Sequence, residues 1–273
     1  MKDNEFFEHV KSYKFIANKS LGQNFLIDED VANAIVSTLS LTKEDKVLEI
    51  GAGIGSLSYY LSKSDAKCTL IDVDERMINI LNEEFGKCPN IEIARQNILK
   101  ADLSGYTKII GNLPYYITSG IIEYLLLNAK NATVITLMTQ KEVYQKLIDK
   151  KEVSPLSLLL HYVTKITSSK TVGRNSFAPI PHVDSTYFTL IPNENIKNED
   201  NKALYKLMCK IFLHKRKTIL NCLSNVTNSK EISLDILQKL NVSELKRPEQ
   251  LDINFYIDVL NILKSNDFIT KIL

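Results

Sequence analysis

Between Lys46 and Met138 five short apolar runs alternate with helical stretches. The runs are Lys46-Val-Leu-Glu-Ile50, Lys67-Cys-Thr-Leu-Ile-Asp72, Asn90-Ile-Glu-Ile-Ala94, Thr107-Lys-Ile-Ile-Gly111 and Thr133-Val-Ile-Thr-Leu-Met138. Parallel neighbours need a crossover, and a helix is the usual one, so this alternation predicts a doubly wound, mostly parallel α/β sheet. Before it, residues 28–39 place Val31, Ile35, Val36 and Leu39 at helical spacing behind an Asp that can cap the helix. After it, Val183-Asp-Ser-Thr-Tyr-Phe-Thr-Leu190 follows a proline-containing loop and reads as a late, antiparallel strand of the same sheet. The polar stretch 192–201 reads as a linker. Beyond it Leu204, Leu207, Met208, Ile211 and Phe212 recur at helical spacing, as do residues 234–240 and 255–263. The expected organisation is therefore an α/β domain over 1–192 and a small all-helical domain over 193–273, which suits a chain of 273 residues.

Composition removes several classes. Hydrophobic residues make up 44% and charged residues 24%, with only 9 Gly and 7 Pro, so disorder and fibrous repeats are excluded. No stretch approaches the ~20 apolar residues of a membrane span, and acids stand near the N-terminus where a targeting peptide carries basic residues. The expectation is a cytoplasmic protein without a membrane partner. Cys68, Cys88, Cys209 and Cys222 show no CxxC spacing and His9, His161, His182 and His214 form no HExxH, so neither a disulfide framework nor a metal site is expected. A net charge of +2 does not by itself name a nucleic-acid partner; the distribution of charge must decide.

The first run leads into Glu49-Ile-Gly-Ala-Gly-Ile-Gly55, a glycine turn that lets a ligand approach the backbone closely. Asp72, about twenty residues on, ends the next run, where a carboxylate accepts hydrogen bonds from ribose hydroxyls. A tight structural turn is the plain alternative. The third glycine comes one residue early for a dinucleotide fingerprint, which favours S-adenosylmethionine over NAD. The fourth run enters Gly111-Asn-Leu-Pro-Tyr-Tyr116 at the carboxyl edge of the sheet. There Asn112 and the Leu113 carbonyl, held outward by Pro114, can accept the two hydrogens of an adenine amine while Tyr115 stacks on the base. Two further segments fit such a site. Gly22-Gln-Asn-Phe-Leu26 offers Asn24 as a hydrogen-bonding group with Phe25 and Leu26 as cover, or else acts as a helix staple. Asn175-Ser-Phe-Ala-Pro-Ile-Pro-His-Val-Asp-Ser185 offers Phe177 either as a second stacking face for a flipped base or as a buried loop anchor.

Taken together, these motifs, Phe177-Ala-Pro-Ile-Pro-His-Val-Asp-Ser185 and His214-Lys-Arg-Lys-Thr218 resemble the ribosomal RNA adenine N6,N6-dimethyltransferases, in order over nearly the whole chain. The Lys-Arg-Lys-Thr run and Arg247-Pro-Glu-Gln-Leu251 are similar to the KsgA branch rather than to the related Erm branch, which methylates large-subunit RNA. The resemblance implies a Rossmann-like methyltransferase domain, S-adenosyl-L-methionine as donor, and adenosines of small-subunit ribosomal RNA, free or in a pre-30S particle, as substrate. It also implies cofactor contacts at Asn24, Leu26, Gly51, Asp72, Asn97 and Asn112, with Gly53 in the same turn. The chain departs from the family pattern in three places. Asp72 stands where Glu is common, Gln96-Asn97 where an Asp is usual, and Val153-Ser-Pro155 where a Tyr-Gly-Arg segment is usual.

The expected activity is dimethylation of the adenine amine by a monomeric enzyme. A non-catalytic ribosome assembly factor and an NAD-dependent oxidoreductase are the rival classes. For RNA, Lys206, Lys210, His214 and Lys217 recur at helical spacing opposite the apolar face, and Lys215 and Arg216 extend the charge. A solvated lysine face is the alternative.

Overall fold

A computed structural model describes residues 3–12, 23–149 and 151–265. It divides into two compact units, Met1–Gln145 with Thr164–Asn193, and Lys146–Val163 with Glu194–Leu273.

In the first unit the helix α1 (Asp3–Ser12) precedes the short strand β1 (Phe25–Leu26) and α2 (Glu29–Ser37). Asp28 caps α2 by accepting from Val31 N at 3.1 Å, and Ala32, Ile35 and Val36 form its buried face. The βα repeat follows: β2 (Lys46–Ile50), α3 (Ser58–Ser62), β3 (Lys67–Asp72), α4 (Glu75–Phe85), β4 (Ile91–Arg95), β5 (Lys108–Asn112), α5 (Thr118–Asn128), β6 (Val134–Gln140) and α6 (Lys141–Ile148). Further along lie β7 (Thr164–Val172), β8 (Phe177–Ala178) and β9 (Ser185–Pro192).

The main sheet has the order β4-β3-β2-β5-β6-β9-β7, parallel from β4 to β6 and antiparallel where β9 meets β6 and β7. Strand order reverses between β2 and β5, and this switch point opens a crevice at the carboxyl ends of the strands. Register then chooses what lines it. Ile50 is level with both Ile71 and Gly111, so Gly51, Asp72 and Asn112 stand side by side at the sheet edge. The central strands are buried throughout most of their length, as the near-continuous apolar runs require.

Strand β7 has no apolar signal: its pattern Thr-Lys-Ile-Thr-Ser-Ser-Lys-Thr-Val exposes most positions and it pairs only with β9, with a register shift between Ile166 and Ser168. It is an edge strand, and its lysines and irregular register are the features that keep an edge from pairing with other chains.

The second unit contains α7 (Pro155–Val163), α8 (Asn201–Phe212), α9 (Ile219–Thr227), α10 (Lys230–Lys239) and α11 (Ile253–Ser265). The second unit thus also takes residues from before the expected boundary near residue 192, Lys146–Val163, which hold the end of α6 and all of α7. Helix α7 buries Leu159, Leu160 and Val163 completely and packs with α8 and α11, so it groups with the C-terminal helices although it precedes β7 in the chain. The expected linker is also structured, because Ile196 is buried and Asn195 Nδ2 donates to the Tyr162 carbonyl at 3.1 Å. Among the described residues no helix is long and apolar enough to cross a membrane. Cys68 and Cys222 are buried, and Cys88 and Cys209 half-buried.

Candidate active site

The glycine turn after β2 is built on positive φ angles, +66° at Gly51 and +58° at Gly53. A side chain there costs about 1–2 kcal/mol in backbone strain, and a Cβ on Gly53 would stand 3.1 Å from the Phe25 ring. Backbone amides fold the turn onto β3: Gly51 N and Ala52 N donate to the Ile71 carbonyl at 2.9 and 3.1 Å. Asp72 receives the rest, Gly53 N on Oδ2 and Asp74 N on Oδ1, each at 2.9 Å. Burial pushes the Asp72 carboxyl up, and these amides oppose the shift. Asp72 therefore shapes the turn while keeping lone pairs for a ligand hydroxyl.

Asp74 caps α4 and lies between Arg76 and Gln23. Chiefly through the Arg76 hydrogen bond, its carboxyl is pushed down to about 2. Glu49, on β2 just before the turn, lies deeper and was not among the residues marked for binding. It is 1% exposed, accepts from Ser58 Oγ at 2.6 Å, and is pushed up to about 8 by burial, with Ser58 opposing and the charge of Asp72 adding. The acid in front of the glycines was visible in the sequence; its burial was not.

Another wall of the cleft is the loop after β5. Leu113 is buried and its amide donates to the Met138 carbonyl at 2.9 Å, which locks the loop to β6. The Pro114 carbonyl accepts from Thr118 Oγ1 at 3.0 Å and from Ile117 N at 3.3 Å, turning the chain into α5. Asn112 Nδ2 donates to the Asn24 carbonyl at 3.1 Å, so its amide is oriented and Oδ1 is the group left to receive a donor. The Tyr115 hydroxyl bonds Ser185 Oγ at 3.0 Å, which fixes the ring from β9, and burial pushes its phenol up.

Gln23, Asn24, Leu26, Gly51, Gly53, Asp72, Asn97, Asn112, Leu113, Pro114 and Tyr115 all line one cleft, with about 1020 Å³ of space including the part open to solvent. That is ample for an adenosine-bearing donor beside a target base. The donor set fits S-adenosylmethionine: a bare glycine backbone, a carboxylate at the end of β3, and the amide of Asn97 beyond it. Asn97 Oδ1 already accepts from Leu99 N at 2.9 Å and caps a short 3-10 helix, Ile98–Lys100, so a ligand shares that oxygen. Gly22 lies outside the described residues.

Phe177 lies outside the cleft lining. It is 1% exposed, pairs with Leu26 in the two-stranded sheet β1-β8, and belongs to the apolar core rather than to the cleft lining. Its burial is the arrangement expected of the anchor reading, since an aromatic ring of that size gains from full burial in an apolar core. The basic face also differs. Helix α8 ends at Phe212 and residues 213–216 form a turn, so Lys206 and Lys210 stay on the helix whereas His214, Lys215, Arg216 and Lys217 project from the connection to α9. The apolar period that carries α8 stops at Phe212, since Leu213 is 77% exposed and offers no further buried position. These residues belong to the second unit and the cleft to the first. Among the described residues no group of His, Cys, Asp or Glu side chains comes together that could hold a metal.

Comparison with known proteins gives a consistent picture. The family model for ribosomal RNA adenine dimethylase matches residues 14–264. The "Ribosomal RNA small subunit methyltransferase A" of Mycoplasma capricolum is 36% identical over 265 residues, covering 92% of this chain and 99% of that protein. Its counterpart in Bacillus cereus strain B4264 is 34% identical, covering 93% and 94%. Among solved structures, a dimethyladenosine transferase from Plasmodium falciparum superposes with a TM-score of 0.76 at 26% identity, over 87% of this chain and 96% of that one. The 23S rRNA methyltransferase ErmE superposes with a TM-score of 0.66 at 24% identity, over 88% and 100%, a likeness of fold.

Proposed function

The chain belongs to the ribosomal RNA adenine dimethylase family, and from that premise we propose how its cleft divides the labour of methyl transfer. It is an S-adenosyl-L-methionine-dependent methyltransferase that dimethylates the exocyclic amine of adenosines in small-subunit ribosomal RNA. When bound, S-adenosylmethionine supplies an electrophilic methyl group on a sulfonium. Everything else falls to the chain. Gly51 and Gly53 present bare backbone to the donor, Asp72 accepts from its ribose, and Asn97 and Leu26 close the two ends of its seat.

The observation that carries the target side is the bond from Asn112 Nδ2 to the Asn24 carbonyl. An adenine amine has its lone pair delocalised into the ring and is a poor nucleophile until its hydrogens are drawn toward tetrahedral geometry. With its amide oriented, Asn112 accepts one of those hydrogens on Oδ1 and the Leu113 carbonyl accepts the other, while Pro114 stiffens the loop and Tyr115 stacks on the flipped base. No general base is needed before the methyl moves. Rate comes from orientation and from excluding water around a reaction that disperses positive charge. The adenosines reach the cleft as part of a small-subunit particle, the enzyme works as a monomer in the cytoplasm, and the cations of the 213–217 turn hold RNA phosphate.

A non-catalytic assembly role is disfavoured by the intact Asn112 to Tyr115 loop. Mass spectrometry of ribosomal RNA from cells lacking the protein is expected to show dimethyladenosine lost from the small subunit. Unchanged dimethyladenosine there, with loss in the large subunit instead, would move the substrate to the Erm type.

A further inference from the structure

Residues 23–26 make a strap that is tied to the cleft at several points. Gln23 Nε2 donates to Asp74 Oδ2 at 2.9 Å. The Asn24 carbonyl accepts from Asn112. The Phe25 ring covers Gly53. The Leu26 carbonyl accepts from Ser56 Oγ, and both Phe25 and Leu26 pair with β8. Two of these ties lead to opposite halves of the site. Through its backbone amide Asp74 holds Asp72 Oδ1 on the donor side, whereas Asn112 belongs to the target side.

The Gln23 tie differs from the others in kind. Strand pairing and the Ser56 bond already hold residues 25 and 26, and the Asn24 contact uses only main-chain oxygen. Gln23 joins the strap to the donor-side carboxylates by a side-chain bond to a charged acceptor, the stronger class of hydrogen bond. Asp74 is a well-fixed acceptor, since it caps α4 and pairs with Arg76. What fixes Gln23 therefore fixes the next residue, whose carbonyl sets the Asn112 amide.

The geometry points to Gln23 as a positioning residue that couples the donor half of the cleft to the target half, so that an occupied donor seat raises affinity for the target adenosine. This rests on the methyltransferase reading above. The route is Asp72 to Asp74, Asp74 to Gln23, Asn24 to Asn112, every link a hydrogen bond of 2.9–3.1 Å. By linkage the effect is reciprocal: RNA raises donor affinity by the same factor.

The test measures binding without turnover. Unmethylated small-subunit ribosomal particles are titrated with the full chain by filter binding, with and without saturating S-adenosylhomocysteine. Wild type is expected to bind particles at least about fivefold tighter with the ligand, within the usual range of coupling between sites. Gln23→Ala is expected to bring that factor below about twofold. Gln23→Glu should do the same by facing two carboxylates, and Gln23→Glu with Asp74→Asn should restore the factor, because the amide and carboxylate exchange places while the α4 cap keeps its oxygen. A purely structural role for Gln23 predicts that Gln23→Ala lowers particle affinity equally with and without the ligand, leaving the factor at its wild-type value. Thermal unfolding of each variant confirms that it is folded. The coupling is overturned if Gln23→Ala keeps the wild-type factor, or if wild type methylates particles but shows no factor. Failure of wild type to transfer methyl from S-adenosylmethionine to the particles would instead overturn the functional reading on which the coupling stands.

Discussion

Glu49 is a carboxyl group sealed between Ser58 and the charge of Asp72, and it titrates inside the working pH range. Its pKa is about 8 in the fold against 4.5 for an ordinary glutamate, with burial the main cause. Between those values the folded protein holds a proton that the unfolded chain has lost. The associated stability is therefore fully present below about pH 4.5, falls as pH rises toward 8, and is gone above it. Melting temperature is expected to fall from pH 5 to pH 8 in wild type and to fall much less in Glu49→Gln, whose amide oxygen can still accept from Ser58. Parallel melting curves would show that Glu49 does not carry the effect. At Asn112 the expected signature is kinetic. Its contact to the amine strengthens as the nitrogen pyramidalises, so Asn112→Ala should lower kcat roughly a hundredfold while RNA affinity changes little. Donor affinity is to be measured separately by calorimetry, because Asn112 also lines the donor cleft. Normal turnover at saturating donor and RNA would remove Asn112 from the reaction.

At the scale of elements, the connection from α8 to α9 shows how a periodic reading overruns its helix. Lys206, Lys210, His214 and Lys217 keep helical spacing on paper, but the helix stops at Phe212 and Lys217 N instead bonds the His214 carbonyl at 2.8 Å within a turn. Four consecutive exposed residues, His214 to Lys217, then concentrate charge more tightly than a helix face would. Each phosphate contact adds about 0.7–0.9 to the slope of log affinity against log salt. Lys215→Glu with Arg216→Glu is expected to flatten that slope by more than one unit and to raise KM for RNA, leaving donor affinity at its wild-type value. If the slope does not change in titrations from low to moderate salt, the turn is an ordinary solvated one. Strand β7 overran in the opposite sense. It is a strand because β9 offers it a partner, and nothing in its own polar composition announces it.

The two units are interleaved along the chain, and that has a consequence for dissection. Leu159, Leu160 and Val163 of α7 are each 0% exposed and α7 packs on α8 and α11, so residues 194–273 alone lack part of their own core. A fragment cut at residue 194 is expected to melt without cooperativity by circular dichroism, whereas the intact chain unfolds sharply. A cooperative, native-like melt of the fragment would show that α7 is dispensable to the unit.

The strands β2 and β3, the glycine turn, Asp72 and the Asn112 to Tyr115 loop were legible before any coordinates, with β2 and β3 read to the residue. Local physics dictates them: a fully buried parallel strand must be apolar, a positive φ selects glycine, and a ligand-facing loop at a switch point keeps its polar groups. What depended on distant residues was not legible. The sequence offers Phe177 equally to a base or to a core, and only its pairing with Leu26 puts it in the core. Whether α7 serves the sheet or the helices is a matter of which apolar surface it meets. Glu49 reads as an acid beside a turn until strands on both sides and Ser58 remove its water. Apolar runs and helical periodicity determined the elements, and the glycine turn and the Asn-Leu-Pro-Tyr loop pointed to the family; partners elsewhere in the chain decided which side chains face the cleft and which proton each holds, because burial and pairing are properties of packed neighbours.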